Sequence, residues 1–257
     1  MRVLHVWNTA GVGSVIAKYM DRLFGTESLV VHRRVFDPYG FTAYGELWDC
    51  GAKMFALKCL WLARKFDVVH VHSFDKLVPF LKFFYPWKPV VLHYHGSDIR
   101  GEWSLKQKYW SKADVVLYST LDLLDAETPK QAIYMPNPVD TELFHNFSKR
   151  YQKSNSALAF HYHLDQTKAD RYAQNYRLFM KILERNIPYK KIPEKFNRYE
   201  YYIDRTEIPS LSKTALEALA CGLKVIRWDG ELVEKLPTEH KPENIAKKIW
   251  KIYQEVM

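Results

Sequence analysis

Cysteine is scarce in this chain: three among 257 residues, and Cys50, Cys59 and Cys221 lie far apart. An odd, scattered set supports neither a disulfide framework nor a thiolate zinc cluster, so a reducing cytoplasm is the expected setting. Long apolar runs are missing as well. A bilayer span needs about 18 or more such residues, and the longest candidate, residues 77–87, is interrupted by Lys82 and two prolines. The N-terminal apolar stretch, residues 3–7, falls short of the ~7–15-residue core of a signal peptide, and Asn8 follows it with no small-residue cleavage pattern. Internal repeats and low-complexity tracts are absent, which excludes repeat arrays and solvated tails.

What is present is the composition of a folded domain. Hydrophobic residues make up 47% and charged residues 26%, which excludes disorder, collagen and coiled coil. Aromatics, at 15%, supply ample material for a core. At ~150 residues per domain the length suits one large domain or two small ones. The formal net charge of +9 is concentrated in residues 145–198, where 12 basic side chains face 4 acidic ones. Such a field attracts the phosphates of a nucleotide, an anionic membrane surface or nucleic acid, and it is equally the pattern of a solvated Lys-rich face. No zinc-finger, RNP or similar motif accompanies it, so nucleic acid is not the expected partner.

Hydrophobic periodicity then reads as an α/β chain. Residues 1–7 suit a buried parallel strand, 8–14 a glycine turn and 15–24 a helix with apolar residues on one face. Strands are expected at 28–35, 68–72, 89–95, 113–119 and 132–135, with helical stretches between them, including 53–65. That alternation implies a doubly wound parallel sheet with right-handed crossovers. Residues 145–156 are polar and read as an interdomain linker. A second, smaller α/β unit follows, with strands at 157–163, 199–204 and 223–228 and helices at 168–186 and 213–221. The tail, 242–256, is a helix with a single apolar stripe, expected to pack back on the first domain. The domains expected are therefore 1–144, a linker at 145–156, 157–240, and a returning helix at 241–257.

Ligands of open parallel sheets sit beyond the carboxyl ends of the strands. Gly11 and Gly13 follow the first strand and open a helix, so a ligand can approach the backbone there. The third glycine of a Rossmann fingerprint is replaced by Ile16, and Arg33 and Arg34 stand where an acid for an NAD ribose is wanted. His95, Gly96, Ser97 and Asp98 lie at the end of another strand, which presents a histidine at the sheet rim for hydrogen bonding or charge stabilisation. Three His-x-His pairs occur, His70/His72, His93/His95 and His161/His163. Residues two apart on a strand share a face, so each pair offers two metal ligands, but the pairs fall on different strands without an acidic partner set. No metal is expected, and a metal-dependent hydrolase is the weaker alternative. In the second unit Ser210 or Ser212 caps a helix whose first turn carries Lys213 and Thr214, an arrangement suited to an anion. Glu217 follows on that helix, either solvent-facing or as an acceptor for a ribose diol.

These segments together resemble the GT-B glycosyltransferases of glycosyltransferase family 4. Residues 67–73 (DVVHVHS) and 90–98 (VVLHYHGSD) look like two strands of the family's N-terminal domain. Residues 135–144 (MPNPVDTELF), with Asn137, look like its hinge signature, and 212–226 (SKTALEALACGLKVI) like its donor-site helix. The chain departs from the pattern at Pro209, where the family carries the first of two glutamates eight residues apart, Glu217 being the second. It also departs in the short stretch between hinge and donor helix. The resemblance implies two Rossmann-like domains, the second reduced. It implies retaining, metal-independent transfer of a sugar from a nucleotide-sugar donor, with no cofactor. Gly11, Gly13, Ser212, Lys213, Thr214 and Glu217 would then serve the donor, His95 the reacting sugar, and Ser97, Asp98 and Asn137 the acceptor side or rim. No Asp-x-Asp occurs, which disfavours the metal-dependent GT-A class. The rivals are an inactive GT-B-like binding module and a sugar-nucleotide epimerase. The basic stretch suggests an anionic membrane surface or a lipid-linked acceptor as a further partner, at the inner face of the membrane.

Overall fold

The computed structural model describes residues 1–147 and 153–257. They form two units, one of Met1–Pro138 with Pro242–Met257 and one of Val139–Lys241.

The first unit is built on a seven-stranded parallel sheet. Its strands are β1 (Arg2–Val6), β2 (Glu27–Arg33), β3 (Glu46–Trp48), β4 (Val68–His72), β5 (Val90–Tyr94), β6 (Val115–Tyr118) and β7 (Ile133–Tyr134). Their order is β3-β2-β1-β4-β5-β6-β7, so the winding reverses between β1 and β4. Helices cover both faces, which is why every residue of β4 and β5 is buried, their histidines included. On one face Leu4, Val6, Val69, Val71 and Leu92 pack with α2 (Ala52–Ala63) and α3 (Val78–Phe84), and with Trp103 and Trp110, which is in the short helix α4 (Gln107–Trp110). On the other face Val3, Val68, Val91 and Leu117 meet α1 (Val12–Phe24) and the C-terminal helix, Pro242–Val256. The apolar stripe of that helix, Ile245, Ile249, Ile252 and Tyr253, is buried there, and Trp250 stacks on Phe24 with ring centroids 4.9 Å apart.

The second unit holds a five-stranded sheet. Its elements are β8 (Lys153–Phe160), α5 (Gln166–Asn175), β9 (Phe179–Leu183), α6 (Ile192–Phe196), β10 (Tyr199–Ile203), α7 (Lys213–Ala220), β11 (Lys224–Ile226) and β12 (Leu232–Val233); the tail helix is α8. The order is β12-β11-β10-β8-β9, parallel except for the β11–β12 pair.

Three boundaries differ from the sequence reading. The expected helix 168–186 is a helix followed by a strand. Arg177 takes a left-handed backbone (φ 55°) just past α5, the Leu178 N–H returns to the Ala173 carbonyl, and residues 179–183 then pair with the edge of β8. The expected linker is shorter: residues 153–156 already belong to β8, and residues 148–152 lie outside the described residues. Residues 139–144 group with the second unit and not the first, because Phe144 is fully buried against Tyr189 (5.2 Å between centroids) and Phe196.

Candidate functional site

The sequence-derived site residues fall into two groups, one in each unit. In the first unit the glycine turn after β1 is closed by Asn8. Its side chain accepts a hydrogen bond from the Ser14 N–H (3.0 Å) and donates to Ser14 Oγ (2.9 Å) and Thr42 Oγ1 (3.0 Å). Asn8 thereby satisfies one of the free amides at the start of α1, a role sequence reasoning missed. Gly11 adopts φ +77°, and a Cβ there would stand 3.0 Å from the Phe41 carbonyl oxygen. A Cβ on Gly13 would meet Asn8 Oδ1 at 3.1 Å and the His72 ring at 3.3 Å. Both glycines are thus required by neighbours within the unit.

His95 is the first residue past β5 and is half-buried. The Asp98 carboxylate accepts the backbone N–H of His95 (2.9 and 3.0 Å) and of Gly96 (2.6 Å), which makes Asp98 the clamp of this turn. Ser97 at its tip is exposed, whereas Asn137 is buried.

Beneath His95 lies a column of imidazoles. Strands β1, β4 and β5 are neighbours, and their register sets His5 opposite His70 and His72 opposite His93. Alternation aims His5, His70, His72 and His93 at the face shared with α1 and α8, where Val3, Val68 and Val91 also point. All four are fully buried. His72 links the column: its Nδ1 lies 3.0 Å from His95 Nε2 and its Nε2 lies 3.2 Å from His5 Nδ1. His70 Nδ1 is 2.7 Å from the Tyr253 hydroxyl of α8. Burial pushes the His5 pKa down to about 4, and it pushes His70, His72 and His93 well below the ordinary histidine value, with the neighbouring imidazoles adding to the shift. The column is therefore neutral at pH 7. The His-x-His spacing made two of these pairs visible in the sequence, but their adjacency depends on strand order, and His5 carried no signal. The third pair is different. His161 and His163 lie beyond β8, exposed, and His163 Nδ1 is 3.3 Å from Glu207 Oε2.

In the second unit Ser212 caps α7: its Oγ accepts the Ala215 N–H (2.9 Å) and donates to Asp204 Oδ1 (2.6 Å). The Ser212 N–H donates to Asp204 Oδ2 (2.9 Å). Burial raises the pKa of Asp204, against the lowering effect of these two bonds. Thr214 is buried within the first turn. Lys213 and Glu217 are i and i+4 neighbours on the helix and point inward. They form a buried ion pair, joined by the Tyr189 hydroxyl, which donates to Glu217 Oε1 (2.6 Å) and lies 2.9 Å from Lys213 Nζ. Glu217 is 2% exposed, so the solvent-facing alternative is excluded. Burial, then the Glu217 charge, push the Tyr189 phenol well above its usual pKa. Neither Tyr189 nor Asp204 has a sequence signal, since both meet α7 through tertiary folding.

The aromatics interleaved with the basic stretch are mostly occupied. Tyr189 is buried, and the hydroxyls of Tyr172 and Tyr176 donate to the Trp228 and Gly230 carbonyls. Phe147, Tyr162 and Phe179 are exposed. No helix of the described residues is long and apolar enough to cross a membrane.

The sequence matches no protein-family model and no curated protein. Solved structures do match. An alpha-glucosyltransferase in complex with UDP and a mismatched 13-mer DNA is similar over 100% of this chain and 90% of its own, with TM-score 0.62 and 13% identity. A sucrose-phosphate synthase from Thermosynechococcus elongatus covers 100% and 90% (TM-score 0.54, 11% identity). A UDP-GlcNAc 2-epimerase from Neisseria meningitidis, bound to UDP-GlcNAc, covers 100% and 94% (TM-score 0.52, 12% identity). The chain has a GT-B-like α/β fold with two Rossmann-type units.

Proposed function

We propose that the protein is a glycosyltransferase of the family 4 type with a reduced second domain, moving a sugar from a nucleotide-sugar donor to an acceptor with retention. The observation that carries this reading is the placement of the glycine turn and His95 at the carboxyl ends of β1 and β5, next to the reversal of winding. Ligands of such sheets bind there. The similar structures, two of whose names mention UDP or UDP-GlcNAc, support a nucleotide-sugar partner. His95 would contact the transferred sugar, with its loop held by Asp98 and Ser97 and Asn137 on the acceptor side. Gly11 and Gly13 would bring the first turn close to the ligand. The start of α7, with Ser212 and Thr214, would take the diphosphate. Lys213 and Glu217 would serve the donor by exchanging part of their mutual pairing for phosphate and ribose. No divalent cation is assigned to the diphosphate. Catalysis then rests on positioning and on stabilising the departing phosphates.

An anionic membrane surface, or a lipid-linked acceptor at the inner face, is proposed as the second partner. The exposed Lys168, Arg171, Lys190 and Lys191 support it, as do the exposed Phe83 and Trp87 near α3.

Calorimetric titration with UDP and GDP tests the donor, and product analysis by NMR tests the reaction. Saturable binding of one nucleoside diphosphate, and a product retaining the donor's anomeric configuration, are expected. Conversion of free nucleotide sugar without an acceptor would assign an epimerase. Absence of binding to either nucleotide would leave an inactive module.

A further inference from the structure

Four fully buried imidazoles in one apolar layer are costly unless something uses their nitrogens. A buried polar atom without a partner costs about 1–3 kcal/mol. His5 Nε2 and His70 Nε2 have no partner. His93 has a backbone neighbour in Met135, yet neither of its ring nitrogens forms a hydrogen bond of normal geometry. Imidazole nitrogens clustered within a few ångströms suit a borderline transition metal. Ligand atoms of His72, His93 and His95 all lie within 4.8 Å of one another. The His72 Nδ1 to His95 Nε2 separation is 3.0 Å, against the ~3.3 Å edge of a tetrahedron with metal–nitrogen bonds of ~2.0 Å.

We propose that His72, His93 and His95 bind one divalent transition-metal ion of the zinc class, with a fourth position open at the sheet rim. This set is preferred to the deeper trio of His5, His70 and His72, which also clusters within 4.8 Å. His95 is half-buried, so an ion has a way in and a water or ligand oxygen can complete its shell, whereas the deeper trio is fully buried. The proton arrangement is consistent. His72 binds through Nδ1 and His95 through Nε2, and the one proton between them moves to the other nitrogen of whichever ring carries it. His72 Nε2–H then donates to His5 Nδ1 at 3.2 Å, so His5 orients the ligand from behind. The site lies at the carboxyl ends of β4 and β5, one strand along from the winding reversal between β1 and β4. Three imidazoles with an open fourth position is a donor set that activates a bound oxygen in zinc sites. The inference does not rest on glycosyl transfer, although it shares His95 with the proposed sugar contact.

The test is equilibrium dialysis of the tag-free full chain against Zn²⁺, with Co²⁺ as optical probe. One ion per chain and a tetrahedral Co²⁺ spectrum are expected. His93→Ala and His95→Ala should each weaken binding more than about 100-fold, beyond the range of outer-shell changes. His145→Ala and His161→Ala, both exposed, should leave it unchanged. Thermal melts without metal report folding. If His93→Ala fails to fold, His95→Ala at the half-buried rim decides. Retention of the ion by His95→Ala, or its loss only with His5→Asn, overturns the assignment, as does failure to bind at micromolar free ion.

Discussion

At the scale of single residues, the two buried polar clusters make opposite demands. The Lys213–Glu217–Tyr189 cluster is charged and paired. Removing one partner of a buried pair leaves the other charge uncompensated, at about 3–5 kcal/mol. Glu217→Gln should therefore lower the unfolding free energy on that order in a denaturant titration, and Lys213→Met in the same chain should restore most of it. If Glu217→Gln alone is neutral, the pair is not buried as described. The Tyr253 hydroxyl matters in a milder way. Tyr253→Phe keeps the ring in the core but strips His70 Nδ1 of its 2.7 Å partner. A loss of about 1–3 kcal/mol is expected, and the same measurement reads it. Gly13→Ala should cost a similar amount, because its Cβ would press on Asn8 and the His72 ring.

At the scale of elements, the histidine-bearing strands couple stability to pH. His5, His70, His72 and His93 have folded-state pKa values below the unfolded value of about 6.5, so the unfolded chain binds more protons in acid. Their contribution is fully present above pH ~6.5 and is lost as pH falls toward the folded values, about 4 for His5. The slope is up to about 1.4 kcal/mol per pH unit for each group. Metal-free protein should thus unfold at markedly lower denaturant at pH 5.5 than at pH 7.5, and a flat profile would contradict the burial of the column. Much of this level was legible beforehand. The Val-rich segments of β4 and β5 were expected as parallel strands, and the choice of Ser210 or Ser212 as cap bracketed the start of α7, where Ser212 takes the role. The segment 179–183 was not legible, since Phe179, Met180, Ile182 and Leu183 satisfy a helical period as well as a strand one. Only the vacant edge of β8 decides between them. For the site, the His-x-His pairs were visible, but strand order and register, which bring His5 and His93 to His72, are tertiary facts.

At the scale of the whole molecule, charge and chain path carry the remaining consequences. The net charge of +9 gives a sedimentation test of the membrane proposal. The protein should pellet with anionic vesicles and not with neutral ones, and recovery should fall as salt screens the attraction. Equal recovery in both would remove the lipid partner. The path of the chain bears on how the protein is made. The first unit is interrupted after Pro138 and completed only by Pro242–Met257, with the whole second unit spelled out between. Until the codons for residues 242–256 are read, the layer of Val3, Val68, Val91 and α1 has no cover from Ile245, Ile249, Ile252 and Tyr253. A ribosome-bound nascent chain therefore carries an apolar sheet face throughout the synthesis of the second unit, an aggregation hazard of the kind chaperones shield. A chain stopped after Lys241 makes that interval permanent. It should accumulate in the insoluble fraction of cells in which the full chain stays in the supernatant.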